Sequence, residues 1–495
     1  MTTAVSSRIS SAQLWALTLS LATFGNCVLW DTDLGINWTL CIAFVVAALL
    51  IVARRRYGRS GSPATVACVW AVVVALGASI TTDGELLALI ILASLSLFAI
   101  AMSTAGERGV AILRPRVALG APFIALVSVV TGVCAAIAGA GRATRAGSIS
   151  STVRSAAITL PIVIVLILLL GDADPLFAAM RTGLKDILPL DEPARILFFA
   201  FLLVLVLGSL STLSHGDSPT RATPVPLGLS IGALENRVLM LAVGLVMWTF
   251  VASAIISLSR DPAAKAGSGV TFAEYARSGF AQLSVAATLV IGTVLATRRE
   301  WISTDRWTRR AGATALAGVG AMLVIAFVRV AHYEEAYGYT VSRIQAQGYM
   351  LVLASMLLLL LLEIAKRDAS GLFAFRSATV ALAVFSVLVF GNADAWIVRR
   401  NVERYAATGK IDIQYLEWLS ADATPALVDS IRGLRQPERG HLLWRLTNMR
   451  RNGRDDRWFA WNLRASKSAH ALRWLDANKV PSLSAPPSRN VFAAD

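Results

Sequence analysis

Apolar stretches of membrane-spanning length alternate with short polar turns from Ser11 to Asn392. They fall near 11–30, 36–53, 64–82, 85–103, 117–140, 155–171, 195–214, 236–258, 275–297, 312–332, 346–365 and 372–392. A hydrocarbon core of about 30 Å takes about 20 apolar helical residues to cross. Lipid offers the backbone no hydrogen bonds, so each stretch is predicted to be a helix. The pattern predicts an all-α protein, a polytopic transmembrane helix bundle of about 11–13 spans. A small C-terminal helical extramembrane domain, polar and rich in Trp and Arg, follows.

Breaks in the pattern divide the chain. Transmembrane helices occupy 1–213, and a connection at 214–234 carries Pro219, Pro224 and Pro226 among Gly, Ser and Thr. A second helix group runs over 235–392, and the tail is 393–495. Within the tail, 411–419 (IDIQYLEWL) has helical spacing. The segment 420–425 (SADATP) then offers Asp422 or Thr424 as an N-cap, with Pro425 near the first helical position. A second helix over 426–434 completes a hairpin. Trp444, Trp458, Trp461 and Trp474 mark further helices, either as the tail's own core or as a contact surface.

Composition agrees with the pattern. Of 495 residues, 56% are hydrophobic and only 16% charged, against about 25% charged in soluble domains. The net charge of +15 would point to nucleic acid in a soluble protein. Here much of it sits in short loops, where it sets orientation and meets anionic lipid, so the lipid bilayer is the expected partner and nucleic acid is not. Cys27, Cys41, Cys68 and Cys134 lie in apolar stretches without a CxxC pair, and read as small buried hydrophobes. The first apolar run is long enough to stay as an anchor.

Loop charge predicts orientation. Arg54, Arg55, Arg56 and Arg59 mark one side as cytoplasmic, and the turns with Asp31, Asp33, Asp83 and Glu85 suit the outside. Arg108, Arg114 and Arg116, then Arg142, Arg145 and Arg154, both read as inside. Either 117–140, broken at Gly120 and Pro122, is a re-entrant or interfacial segment, or one of these arginine loops lies outside; the later loops favour the first. The acidic loop 172–194 then falls outside and the basic loop 298–311 inside. This makes a multi-pass plasma-membrane protein with an extracytoplasmic tail.

Polar patches supply the candidate functional residues. GDADPLF at 171–177 places Asp172 and Asp174 at a helix exit, too few carboxylates for a calcium cage. LENRVL at 234–239 brings Glu235, Asn236 and Arg237. The helix dipole disfavours Arg237 there, so it requires an acidic partner elsewhere. In TFAEYARSGF at 271–280, Thr271 and Glu274 have capping-box spacing. Glu274 and Arg277 share a face, and Tyr275 fits an aromatic belt. Arg329 precedes HYEEAYGYTVSR at 332–343, which holds His332, Glu334, Glu335, Tyr337 and Arg343. His332 and Glu335 share a face but are only two ligands, so no metal is assigned. A salt-bridged cluster at the membrane edge is the plainer expectation. Asn392 and Asp394, at the last helix exit, are secondary candidates. Span centres are nearly free of charge, with Glu363 near a span end. No Walker, HExxH, GxSxG or dinucleotide motif stands in a suitable context, so no catalytic residue or cofactor is assigned.

TFAEYARSGF, HYEEAYGYTVSR and NADAWIVRRNVERYAATGKIDIQYLEWLSADATPAL at 392–427, in this order, resemble the bacterial membrane family called domain of unknown function 4173, with 4153 its close sibling. GDADPLF and LENRVL stand at matching positions, so the resemblance covers about 155–430; the N-terminal spans share only hydropathy. The resemblance implies a multi-span plasma-membrane protein with a helical tail and no assigned activity. Three functions are compatible with it. One is an envelope assembly or signalling protein whose tail binds a partner. Another is a transporter or lipid-handling protein with a cleft lined by Glu235, Arg237, Arg277, Glu335 and Arg343. The third is a membrane enzyme using the 332–343 carboxylates.

Overall fold

The computed structural model describes residues 10–58, 62–105, 193–215, 233–259, 272–367, 372–451 and 457–478. The expected spans at 117–140 and 155–171, Asp172, Asp174 and most of the 214–234 connection lie outside them. Among the described residues helices are the only regular element, and seven are long and apolar enough to cross a membrane.

The first group comprises α1 (Ser11–Leu29), α2 (Ile36–Tyr57), α3 (Ser62–Leu76), α4 (Gly84–Thr104) and α5 (Pro193–His215). Local chemistry sets their ends. Ser10 and Gln13 form a capping box at α1. Asp83 accepts from the backbone N–H groups of Glu85 and Leu86 and caps α4. Asn37 ties the α1–α2 turn. Its Oδ1 accepts from Gly35 and Trp38, and its Nδ2 donates to the carbonyls of Val28 and Asp33. Buried Cys68, Leu49, Ile90 and Leu210 fill the shared core. Cys41 is buried too, whereas Cys27 is exposed, a correction to the expected burial, and Cys134 lies outside the described residues.

The second group is α6 (Ala233–Ser259), α7 (Phe272–Trp301), α8 (Arg306–Tyr337), α9 (Val341–Lys366) and α10 (Phe373–Phe390). At about 1.5 Å per residue α8 is roughly 48 Å long, so its ends stand outside a hydrocarbon layer of about 30 Å. Its core packs Met240, Val294, Leu316, Met322 and Leu360. A buried pair closes the end where α8 starts: Arg298 Nε lies 2.9 Å from Glu363 Oε2, and the guanidinium stands 4.8 Å over the Phe373 ring.

Helix α10 joins the two groups. Phe373 at its start belongs to the second core, and Val389 near its end belongs to the first. Gly77 makes that contact possible: a Cβ there would lie 2.6 Å from Val389 Cγ1 and 2.8 Å from Ile90 Cδ1.

The tail contains α11 (Ala393–Thr408), α12 (Ile413–Trp418), α13 (Thr424–Ser430), α14 (Glu438–Arg451) and α15 (Leu463–Ala477). It has a core of its own, built on Ile397, Leu416, Leu427, Leu442, Leu446 and Leu475. Pro425 sits in the first turn of α13, as its sequence position predicts. The cap is different from the expectation: Ala423 stands at the N-cap position without a side-chain bond, Thr424 is already helical, and Asp422 is used elsewhere. The predicted second helix, 426–434, is α13 continued by a 3-10 turn over Ile431–Gly433.

Gly77→Val should force α10 off the first group and cost about 1–3 kcal/mol by overpacking. A lowered thermal midpoint of the purified protein checks this, and an unchanged midpoint would refute the strut role of α10.

Candidate functional site

Polar chemistry concentrates where the tail meets the membrane helices. The segment 77–83 between α3 and α4 is a short 3-10 turn followed by Ile80–Asp83, which presents two threonine hydroxyls and the Thr82 backbone N–H. The Asp422 carboxylate fills this concavity from the tail. Its Oδ2 accepts from Thr81 Oγ1 at 2.6 Å and from Arg464 Nη1 at 2.8 Å. Its Oδ1 accepts from the Thr82 N–H at 2.8 Å and from Thr82 Oγ1 at 2.5 Å. Asp422 is 2% exposed and Arg464 6%, so both charges have left water and depend on these partners.

Arg464 also serves the membrane domain. Its Nη2 donates at 3.0 Å to the Val389 and Phe390 carbonyls, acceptors that the end of α10 leaves without intrahelical partners. Asn462 works on both sides as well. Its Oδ1 accepts from the Arg464 and Ala465 N–H groups and caps α15, and its Nδ2 donates at 2.8 Å to the Ala78 and Thr81 carbonyls. Asn392, held in the left-handed region at φ 51°, caps α11 through Ala395 and donates at 3.2 Å to the Asp422 carbonyl. Asp394 is buried and accepts from the Ser420 N–H at 3.0 Å and from its hydroxyl. Burial pushes its carboxyl above the usual carboxylate range, and the nearby Asp83 and Asp422 add to the rise against the pull of Ser420. Beside it, Arg445 donates to the Leu419 carbonyl, and burial lowers its guanidinium.

A second contact binds the tail to the α8–α9 turn. Asn401 brackets Tyr339, accepting from its N–H and donating to its carbonyl, both at 2.9 Å. Arg404 donates to the Glu335 and Ala336 carbonyls at the end of α8. The Val341 N–H donates at 2.7 Å to the Tyr415 hydroxyl, whose proton burial holds more tightly than usual.

The sequence candidates divide between the two ends of α8. At its start, Arg237 finds the acid its position demands: Nη2 lies 3.0 Å from Asp305 Oδ2. Asp305 also accepts from Thr308 and the Trp307 N–H, and these bonds, Thr308 first, hold its carboxyl well below the usual range. Asn236 is buried beside it and Glu235 exposed. At the far end, Glu334 is buried and accepts from Gln347 Nε2 at 2.9 Å. Arg343 lies 4.2 Å over the Tyr333 ring and donates to the Gly338 carbonyl. Tyr337 stacks on Tyr333 at 4.7 Å between centroids. Arg329 is half-buried, and His332 and Glu335 are exposed. Helix α7 begins at Phe272, beside the predicted cap, and the side chains of Glu274, Tyr275 and Arg277 lie outside the described residues. Among the described residues no three metal-ligating side chains converge.

Asn392 and Asp394 do join the joint, but Thr81, Thr82, Asp422, Asn462 and Arg464 complete it and are absent from the sequence candidates. A signal exists for part of it: Thr81, Thr82 and Asp83 form an unusually polar turn between two apolar spans.

The family described as Domain of unknown function (DUF4153) matches residues 68–430. This is the sibling of the family named from the motifs, and the match reaches further toward the N-terminus than they do. No curated protein matches the chain, and no solved structure does.

Asp422→Ala strands Arg464 and should loosen the tail by about 3–5 kcal/mol. Faster protease cleavage between α12 and α15 in the purified protein measures it. Adding Arg464→Met should not restore resistance, because the α10 carbonyls and the Thr82 N–H then lose their partners as well.

The Asp394 carboxyl is raised in the folded protein, so the folded state holds the proton more tightly. Its contribution to stability is complete below about pH 3.9 and is lost as pH climbs through the raised value. Asp394→Asn keeps an acceptor for Ser420 and should flatten that part of a plot of thermal midpoint against pH. An unchanged slope would refute the assignment.

Proposed function

The chain belongs to the DUF4153 family, and on that premise we propose that it is a membrane-embedded scaffold whose tail binds a protein or other envelope component. The observation that carries this reading is the placement of the tail's aromatic residues. Leucine, isoleucine and valine fill the tail core, while Trp418 stands 87% exposed and Trp474 42%. Exposed tryptophans on a rigid body are typical anchors for a partner, since they bury large area at low entropy cost. The buried joint supplies the rigidity.

Charge supports a plasma-membrane reading with the tail outside. The helix ends away from the tail carry Arg54, Arg55 and Arg56, Arg306, and Lys366. The turns near it carry Asp31, Asp33 and Asp83. Positive charge is retained on the cytoplasmic side. A transporter or lipid-handling cleft lined by Arg237 and Arg343 together has less support, because α8 separates those residues by most of its length.

A photo-crosslinking residue in place of Trp418, in the full-length protein in native membranes, should give one adduct of defined mass. The same residue in place of Lys410, elsewhere on the tail surface, should not give it. Absence of any adduct specific to position 418 would overturn the proposal.

A further inference from the structure

The turn before α15 carries a second set of exposed aromatic residues, apart from Trp418 and Trp474. Residues 457–461 (RWFAW) place large aromatic side chains in the open: Trp458 is 69% exposed and Trp461 47%. Trp458 and Phe459 stack edge to face, 5.6 Å between centroids. Neither tryptophan belongs to the tail core.

The backbone of this turn is fixed to the point where two membrane helices meet water. The Ile36 N–H, at the first residue of α2, donates at 3.0 Å to the Trp461 carbonyl. Arg457 donates to the Asp31 carbonyl just past the end of α1. Gly35 lets the two chains approach, since a Cβ there would lie 2.4 Å from the Trp461 carbonyl oxygen and 2.6 Å from that of Ala460. Helix α1 leaves Leu19 exposed, and α2 leaves Phe44 and Ile51 exposed, so both helices have a lipid-facing side. Trp30, at the C-cap of α1, packs on Phe198 of α5 at 5.6 Å. Aromatic residues from three separate parts of the chain therefore gather at one level of the bundle.

We infer that residues 457–461 form a membrane-interface foot, in which Trp458 and Trp461 lie in the phospholipid headgroup layer beside α1 and α2. Tryptophan favours that layer because its ring is apolar and its indole N–H still reaches polar partners. Arg457 adds a cation at headgroup level. The occupant is lipid and not a second protein, because the foot continues the belt of Trp30 and Phe198 and hangs from the first residue of a crossing helix. The foot would hold the tail to the bilayer as well as to the protein.

Hydroxyl-radical footprinting of the unmodified full-length protein tests this. On the protein's own surface Trp458 is more open than Trp474, 69% against 42%. In phosphatidylcholine nanodiscs the order should invert, with Trp458 and Trp461 oxidised several-fold less than Trp474. Trp458 oxidised faster than Trp474 would overturn the inference. A second measurement separates lipid from protein cover. A nitroxide on Trp458→Cys, with Cys27, Cys41, Cys68 and Cys134 replaced by Ala, should collide more with lipid-soluble oxygen than with a water-soluble nickel chelate. A label shielded from both reagents would mean that protein covers the turn, and one open to the chelate that water does; either overturns the inference.

Discussion

A carboxylate removed from water must be met by donors at its lone pairs, and a guanidinium by acceptors along its fork. Asp422 and Arg464 meet that demand only if the tail and the membrane helices are together. Thr81 and Thr82 come from one turn between spans, and the Val389 and Phe390 carbonyls from the end of α10. Separating the parts would leave Asp422 with Arg464 but without its Thr81 and Thr82 donors, and the Val389 and Phe390 carbonyls without partners. The pair gains little as an isolated ion pair. Its value is that it makes partial docking expensive, and so sets one position for the tail.

The same requirement explains where the joint stands. Helix ends carry unsatisfied N–H and carbonyl groups, and lipid cannot supply partners. At the tail end of the bundle the chain answers with side chains from the tail itself: Asn462 for Ala78 and Thr81, Arg464 for α10, Arg404 for α8. The tail therefore acts as a shared cap for several helices. At the other end Asp305 and Arg309 do comparable work from within the bundle, where Arg309 donates to the Ile302 carbonyl. The two ends differ in kind, one closed by a folded body and the other by side chains of the bundle itself.

The span pattern was legible because lipid imposes it locally: about 20 apolar residues make a crossing whatever surrounds them. Pro425 was legible for the same reason, its fixed φ and missing N–H suiting a first helical turn. Asp422 was not. A carboxylate two residues before Thr424–Pro425 looks like an N-cap, and its true partners lie 341 and 340 positions away in Thr81 and Thr82. Nothing in the local string separates a cap from an anchor. Arg237 was half legible: the helix dipole demanded an acid, but only packing could say that Asp305 provides it. The tail tryptophans were read as core or surface with equal right, because helical spacing does not reveal which face is covered.

The division of the polar candidates bears on what kind of machine this is. A carrier that moves a polar solute needs polar groups near the midplane, reached from both sides in turn. Here Arg237 with Asp305 and Glu334 with Gln347 stand at opposite ends of α8, and the stretch between contributes Leu316, Val319, Met322 and Leu323 to an apolar core. Each polar group also has a partner that fixes a helix end or a turn. Among the described residues, such an arrangement stiffens the second helix group at its two faces and packs apolar side chains between them. It suits a platform that must hold a folded body in one pose at the membrane surface.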